Sequence, residues 1–399
     1  MIEKECPVPE PFTSEIGSII SLTVLFFLSF IGRFIFAPLM PSIVKDLNIT
    51  SGQAGSIFLI GSLGVFIGSL SSGFIAARIN HRGNLVVSMF GAGLALLFCS
   101  FFSSLWTIRA AMVILGISAG LNLPSNIATI TAMVDRQDWG KALAVQQMAP
   151  PMSLVLGPLL TVLFLTWFSW QAPLIAIALF TIAVGVFLMR FGWFGDFPGD
   201  PLAPGPVKIV LGSRSFWLMI VLFALGMAGQ VGTYAMLPLY LVTERALNAD
   251  VANTLLGVAQ VSALFMTFFA GWVTDKIGEK NAIVLFLVLA GAVNIMLGLV
   301  SGLWLKVAIF LQPALFVCFF PAGFAALSRI VQPTMRSIAA ALAPPAAFFL
   351  GGGLFPAALG YMGENYTFGL GIALSGGVIA VGSLLAFFLT LLEKMEDGC

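Results

Sequence analysis

From Ile16 to Val44 the chain reads IGSIISLTVLFFLSFIGRFIFAPLMPSIV, and Arg33 is the one charged residue before Lys45. A bilayer crossing takes about 20 apolar residues, so this run is long enough to span. In hydrocarbon every backbone N–H and C=O must be paired inside the protein. Apolar runs of this length are too long for barrel strands, so the segment must be a helix. Arg33 lies well inside both ends of the run. An arginine at that depth costs at least ~2.5–3.5 kcal/mol unless it faces a polar cavity. It therefore marks a pathway, and a guanidinium suits something negative.

The rest of the chain agrees with a membrane. Charged residues are 9% of it, against about 25% in a soluble domain, and mean hydropathy is +1.05. A net charge of +1 offers no footprint for nucleic acid. Cys6, Cys99, Cys318 and Cys399 are scattered with no CxxC spacing. They read as small hydrophobes or free thiols, with no metal site, no disulfide framework and no cofactor. The acidic, Pro-rich start, MIEKECPVPEPFTSE, lacks the basic region of a signal peptide.

Apolar stretches set against charged or turn-rich breaks predict twelve spans, at 16–44, 54–77, 84–103, 107–133, 142–167, 171–190, 215–242, 252–274, 281–301, 304–328, 337–361 and 366–392. Thirteen Lys and Arg residues then fall on one side and four on the other, with Arg33 completing the 18. The positive-inside rule makes the richer side, which holds both termini, cytoplasmic. This predicts a multi-pass protein of the inner or plasma membrane. Its parts are a cytoplasmic tail (1–15), a six-helix bundle (16–190), a cytoplasmic linker (191–214) rich in Pro and Gly, a second six-helix bundle (215–392) and a cytoplasmic tail (393–399).

The two bundles repeat at a spacing of 194–198 residues. Gly32-Arg33 before Leu39-Met40-Pro41 matches Gly229-Gln230 before Met236-Leu237-Pro238. Pro124 matches Pro321, and Ala149-Pro150-Pro151 with Gly157 matches Ala343-Pro344-Pro345 with Gly351. Six spans per half is an even number, so both halves insert in the same direction, the parallel repeat of alternating-access carriers. The loop Gly271-Trp-Val-Thr-Asp275-Lys276-Ile-Gly278-Glu279-Lys280 resembles the G-x-x-x-D-[RK]-x-G-[RK]-[RK] loop of the major facilitator superfamily, except at Glu279. The first-half copy, Gly73 to Arg82, has Ala77 for the aspartate and Asn80 for the glycine. Arg109, Gly116 and Gly120 resemble its R-x(6)-G-x(3)-G pattern. The resemblance covers residues 16–392 and extends to the organic-anion carriers of the superfamily. It implies an all-α membrane protein of 12 transmembrane helices in two six-helix pseudo-repeats. It also implies a cavity lined by spans one, four, seven and ten, and a conformational latch, here formed by Asp275, Lys276, Lys141, Arg78 and Arg109.

All 17 carboxylates fall outside the predicted spans or at their ends. No membrane-buried Asp, Glu or His is left to carry protons, and a pump for cationic drugs, which needs a buried carboxylate, is disfavoured. On the cavity spans the expected substrate ligands are Arg33, Asn122, Asn126, Gln147, Gln230, Tyr234, Gln260 and Gln312. Asn122/Asn126 and Gln230/Tyr234 are i, i+4 pairs, each sharing a helix face. Glue between helices is the alternative reading of each such residue. The repeat places Gln230 where a second arginine would be, leaving one fixed charge, which balances a monoanion better than a dianion. No nucleophile–base pair suggests an enzyme. The expected function is transport of a small organic monoanion, a carboxylate or sulfonate, by a monomer in the lipid bilayer. Symport with a proton or other ion stays open. The alternatives are efflux of neutral or amphipathic compounds with Arg33 structural, and a transporter-like solute receptor.

Overall fold

The computed structural model describes residues 11–200 and 204–392, so the predicted tail 393–399 and residues 1–10 of the N-terminal tail lie outside it. The helices are α1 (Ile16–Leu47), α2 (Ser51–Phe101), α3 (Leu105–Met133), α4 (Arg136–Leu165), α5 (Gln171–Phe191), α6 (Pro204–Leu211), α7 (Arg214–Thr243), α8 (Ala249–Ile277), α9 (Glu279–Leu299), α10 (Gly302–Arg329), α11 (Arg336–Asn365) and α12 (Phe368–Phe388). The described residues contain no strand. Eleven of these helices are long and apolar enough to cross a membrane. The 51 residues of α2 carry two of the twelve predicted spans, with a kink at Asn80 (φ 65°, ψ 167°). In the second half the same backbone geometry recurs at Gly278 (φ 80°, ψ 161°), where it separates α8 from α9. The two positions differ by the repeat spacing, so the internal repeat is present in the backbone as well as in the residues.

The chain divides into two compact units, Met1–Leu47 with Ile60–Leu202, and Asn48–Leu59 with Ala203–Cys399. The core of the first unit joins Ile19, Leu22 and Leu25 of α1 to Leu85 and Met89 of α2, Ile130 of α3, Ala142 of α4 and Leu188 of α5. Glycines let α2 and α3 approach: a Cβ on Gly64 would lie 3.1 Å from the Cα of Gly116, and one on Gly120 would lie 2.5 Å from the Ser69 nitrogen. In a bilayer such small-residue contacts replace the hydrophobic drive that lipid removes. The predicted linker is not irregular throughout. Its first part straps the α2 kink: Arg82 N donates to the Gly195 carbonyl (2.8 Å), His81 N to the Phe197 carbonyl (3.2 Å), and the His81 and Phe197 rings pack at 4.8 Å. Its last part is α6, which opens on Pro204, a residue suited to a helical first turn.

The core of the second unit gathers Phe216 and Phe223 of α7, Phe286 of α9, Phe316 and Phe319 of α10, and Ala343 of α11. Here α9 and α12 pack through Gly291, whose Cβ would sit 2.5 Å from the Gly376 carbonyl. Side chains close the helix ends. Glu244 accepts hydrogen bonds from the Phe368 and Gly369 amides that open α12, and Arg245 donates to the Gly298 carbonyl that closes α9 (2.8 Å). Each charge sits at the helix end whose dipole favours it. Arg329 pairs with Glu279 (2.7 Å) and donates to the Leu392 carbonyl (3.1 Å). Glu279, the departure from the family loop, is thus half of an ion pair with the last residue of α10.

Candidate functional site

In the first unit Arg33 lies in the last turn of the first helical stretch of α1, Ile16–Phe34, which breaks at Ile35 and resumes at Phe36. It is 8% exposed. Its Nε donates to the Ser29 carbonyl one turn back (3.4 Å), and its guanidinium lies 5.4 Å and 5.6 Å from the Phe30 and Phe34 ring centres. Those two rings stack at 4.4 Å. The guanidinium lies beside this stacked pair, within cation–π distance of both rings, a contact that steadies the charge.

Asn122 and Asn126 are fully buried, and each spends an amide donor inside the bundle. Asn122 Nδ2 donates to Ser88 Oγ (3.3 Å) and Asn126 Nδ2 to the Leu22 carbonyl (2.7 Å), while each Oδ1 is buried without a hydrogen-bond partner. They belong to a polar ladder that sequence reasoning did not single out. In it Asn84 Nδ2 reaches Ser125 Oγ (3.0 Å) and the Ser72 carbonyl (2.9 Å). Asn84 and Ser88 face Ser125 and Asn122 in antiparallel register across α2 and α3. The i, i+4 spacing of Asn84 and Ser88 was the available signal; Asn84 sits at the predicted start of a span and reads there as a boundary residue. On α4, Gln147 is exposed, whereas its neighbour Gln146 is fully buried with neither amide atom partnered.

In the second unit Gln230 lies in a π-helical stretch, Ala228–Thr233, inside α7. Such wide turns recur at functional sites. Glycines permit it: a Cβ on Gly229 would overlap the Phe316 ring, and one on Gly232 would meet the Gly351 carbonyl. Gln312 of α10 donates to the Gly229 carbonyl (2.5 Å), so its amide supports the distorted turn. Tyr234 is fully buried one turn on, and Gln230 and Gln260 are each buried with an unpartnered Oε1. Asn294, not singled out by the sequence, reaches Thr233 Oγ1 and Ser375 Oγ, both at 3.4 Å.

Of the residues expected to form a latch, Asp275 and Lys276 lie in the last turn of α8, Arg78 just before the α2 kink, and Arg109 and Lys141 in the second turns of α3 and α4. Asp275 and Arg78 are exposed. Lys276 lies over the Trp272 ring (4.0 Å) and Arg109 over Trp106 (5.0 Å). Lys141 pairs with Asp138 at 2.7 Å, a contact that holds the Asp138 carboxyl below its ordinary value, helped by the Phe12 amide.

Known proteins share this sequence pattern and architecture. The chain is 24% identical over 285 residues to the multidrug resistance protein MdtG of Serratia proteamaculans, covering 67% of this chain and 68% of that one. It is 20% identical over 299 residues to the gallate transporter of Pseudomonas putida, covering 65% and 66%. Its fold matches the crystal structure of a bacterial homologue of the human lysosomal transporter Spinster, inward-facing and occupied, with a TM-score of 0.78 at 14% identity over 96% of this chain and 97% of that one. The Major Facilitator Superfamily model matches residues 22–302 and 234–398, which together take in nearly the whole chain. With the twofold repeat and the membrane-length helices, this makes the chain a member of the major facilitator superfamily, a multi-pass secondary transporter of small molecules and not an enzyme.

Proposed function

We propose that the cargo is a small organic monoanion of the carboxylate or sulfonate class, carried by alternating access with Arg33 as its ligand. The observation that carries this reading is a buried guanidinium, beside the stacked Phe30 and Phe34 rings, in a predicted span, 16–44, that holds no carboxylate. A planar fork of five donors matches carboxylate or sulfonate oxygens. An arriving anion would offset the cost of burying the charge, which gives the site its selectivity. In the second unit, taken by itself, Gln230 and Gln260 are buried amides each with an unpartnered Oε1. Within the first unit Asn122 and Asn126 act as supports, and within the second Gln312 does, because each already spends an amide donor inside its own bundle. The gallate transporter gives the reading a relative whose cargo is a carboxylate. The asymmetry of basic residues supports cytoplasmic termini in an inner or plasma membrane.

Uptake of a panel of small acids into liposomes tests the assignment. Arg33→Lys keeps the charge but loses the fork, and is expected to weaken uptake about tenfold, the equivalent of ~1.4 kcal/mol. Arg33→Gln is expected to abolish it. Normal anion uptake by a well-folded Arg33→Gln protein would sink the assignment.

A second reading, export of amphipathic compounds, has its own support. MdtG is a multidrug resistance protein, and an apolar groove of about 260 Å³ lies between α1, α4 and α5, lined by Phe27, Ile31, Leu160, Phe164, Ile177 and Phe180. At 100° per residue, Phe27, Leu28 and Ile31 occupy the face of α1 opposite Arg33. The groove and the arginine are therefore separate features. In the same panel, transport of neutral amphiphiles that survives Arg33→Gln identifies this second reading.

A further inference from the structure

The transport mechanism makes no use of α6, the eight-residue helix before α7. Val210 fixes its orientation: it is 1% exposed and belongs to the core built by α7, α9, α10 and α11. Trp217 ties down its last turn by donating from Nε1 to the Leu211 carbonyl (2.8 Å). With Val210 turned inward, its neighbours face outward. Ile209 is 60% exposed, Leu211 41% and Trp217 54%, and Lys208 and Arg214 beside them are exposed as well. No carboxylate occurs between Asp200 and Glu244.

A bulky aliphatic side chain held as open as Ile209, in a stretch that carries two cations and no carboxylate, is costly in water and favourable at a lipid surface. There the apolar groups dip below the headgroups and the cations stay among the phosphates. An indole at the same level is the usual interfacial anchor. The side of the chain rich in Lys and Arg is the cytoplasmic one, and the cytoplasmic leaflet carries the anionic lipid.

We propose that α6 lies in the headgroup layer of the cytoplasmic leaflet, where Lys208 and Arg214 hold the phosphate of an anionic phospholipid and Ile209 reaches the acyl chains. The competing occupant is the acidic end of the chain itself, EKMEDGC. The proposal is independent of the cargo, and its test does not use transport.

The full chain with Cys6→Ser and Cys399→Ser keeps Cys99 and Cys318, both buried. A nitroxide is attached at Ile209→Cys in this background. In vesicles of equal parts phosphatidylcholine and phosphatidylglycerol the label is expected to be relaxed by oxygen and shielded from an aqueous nickel chelate. In native mass spectra, retention of phosphatidylglycerol is expected to weaken about 5-fold for each cation removed, or roughly 25-fold for Lys208→Gln/Arg214→Gln. Lys208→Arg/Arg214→Lys should retain it. A label open to the nickel chelate in those vesicles overturns the proposal. So does unchanged phosphatidylglycerol retention by the Gln/Gln protein, the result expected if the acidic tail occupies the two cations instead.

Discussion

Single residues explain where this chain obeys its family loop and where it departs from it. The loop glycine at 278 has φ +80° and ψ 161°, a region almost closed to side chains, and Asn80 occupies the same region in the first half. Asn80→Gly should therefore stabilise the protein by about 1 kcal/mol, and Gly278→Ala should destabilise it by ~1–3 kcal/mol. Thermal midpoints in one detergent check both; an Asn80→Gly protein that melts lower than the parent contradicts the argument. Gly271, by contrast, has nothing within 4 Å of where a Cβ would lie, so Gly271→Ala should leave the midpoint within error. His81 is a second such position. Burial pulls its imidazole below the ordinary value of 6.5, and Asp200 only partly opposes this. The folded state thus binds fewer protons than the unfolded state, so stability is intact above about pH 6.5 and falls as pH drops below it. His81→Phe should flatten the midpoint's dependence between about pH 7.5 and about pH 5; an unchanged slope would show that His81 is not its source.

At the scale of helices, the matched prolines do different work in the two halves. Pro150 and Pro151 fall in the first turn of the stretch Ala149–Leu165, after a break at Gln147 and Met148. A missing N–H costs little there. Pro344 and Pro345 lie inside Arg336–Phe348 and are followed at once by a π-helical stretch, Phe349–Leu354, that contains Gly351, Gly352 and Gly353. The distortion in α11 is built by these residues, and a bend is placed where the ladder is already open. Pro344→Ala/Pro345→Ala should therefore slow turnover at least about tenfold, that is by ~1.4 kcal/mol of barrier, while Pro150→Ala/Pro151→Ala should stay within about twofold. Initial rates in liposomes at matched protein levels decide it; equal losses would mean the prolines are equivalent. The sequence made all four prolines visible, together with their spacing. It did not reveal which pair sits at a helix start, because that depends on where the backbone ladder breaks. The same limit separates Gln146 from Gln147: one residue is a 100° rotation, and only packing against α1 and α3 decides which amide turns inward.

At the scale of the molecule, what was legible is what the bilayer dictates. Apolar runs had to be helices, and among the described residues they are; the repeat spacing recurs in the backbone at Asn80 and Gly278. The polar ladder of Asn84, Ser88, Asn122 and Ser125 was not legible, because it depends on the register between two helices rather than on either one. Nor was the strap of 192–200 over the α2 kink, which needs the positive φ of Gly195 and the Asn80 geometry at once. The lack of Asp and Glu in the predicted spans has a further consequence, in volts. If the proposed cargo neutralises Arg33, the loaded carrier moves no net charge, whereas the empty one carries a positive charge. A membrane potential then acts on the return of the empty protein, by up to ~2.3 kcal/mol per 100 mV if the charge crosses the whole field. Exchange of cargo for cargo should ignore a potassium–valinomycin potential, and net accumulation should respond to it. Equal sensitivity of both would show that the arginine's charge is not the one being moved. In a chain with no proton-carrying carboxylate in its spans, the energy source would be written into the resting state of the empty site.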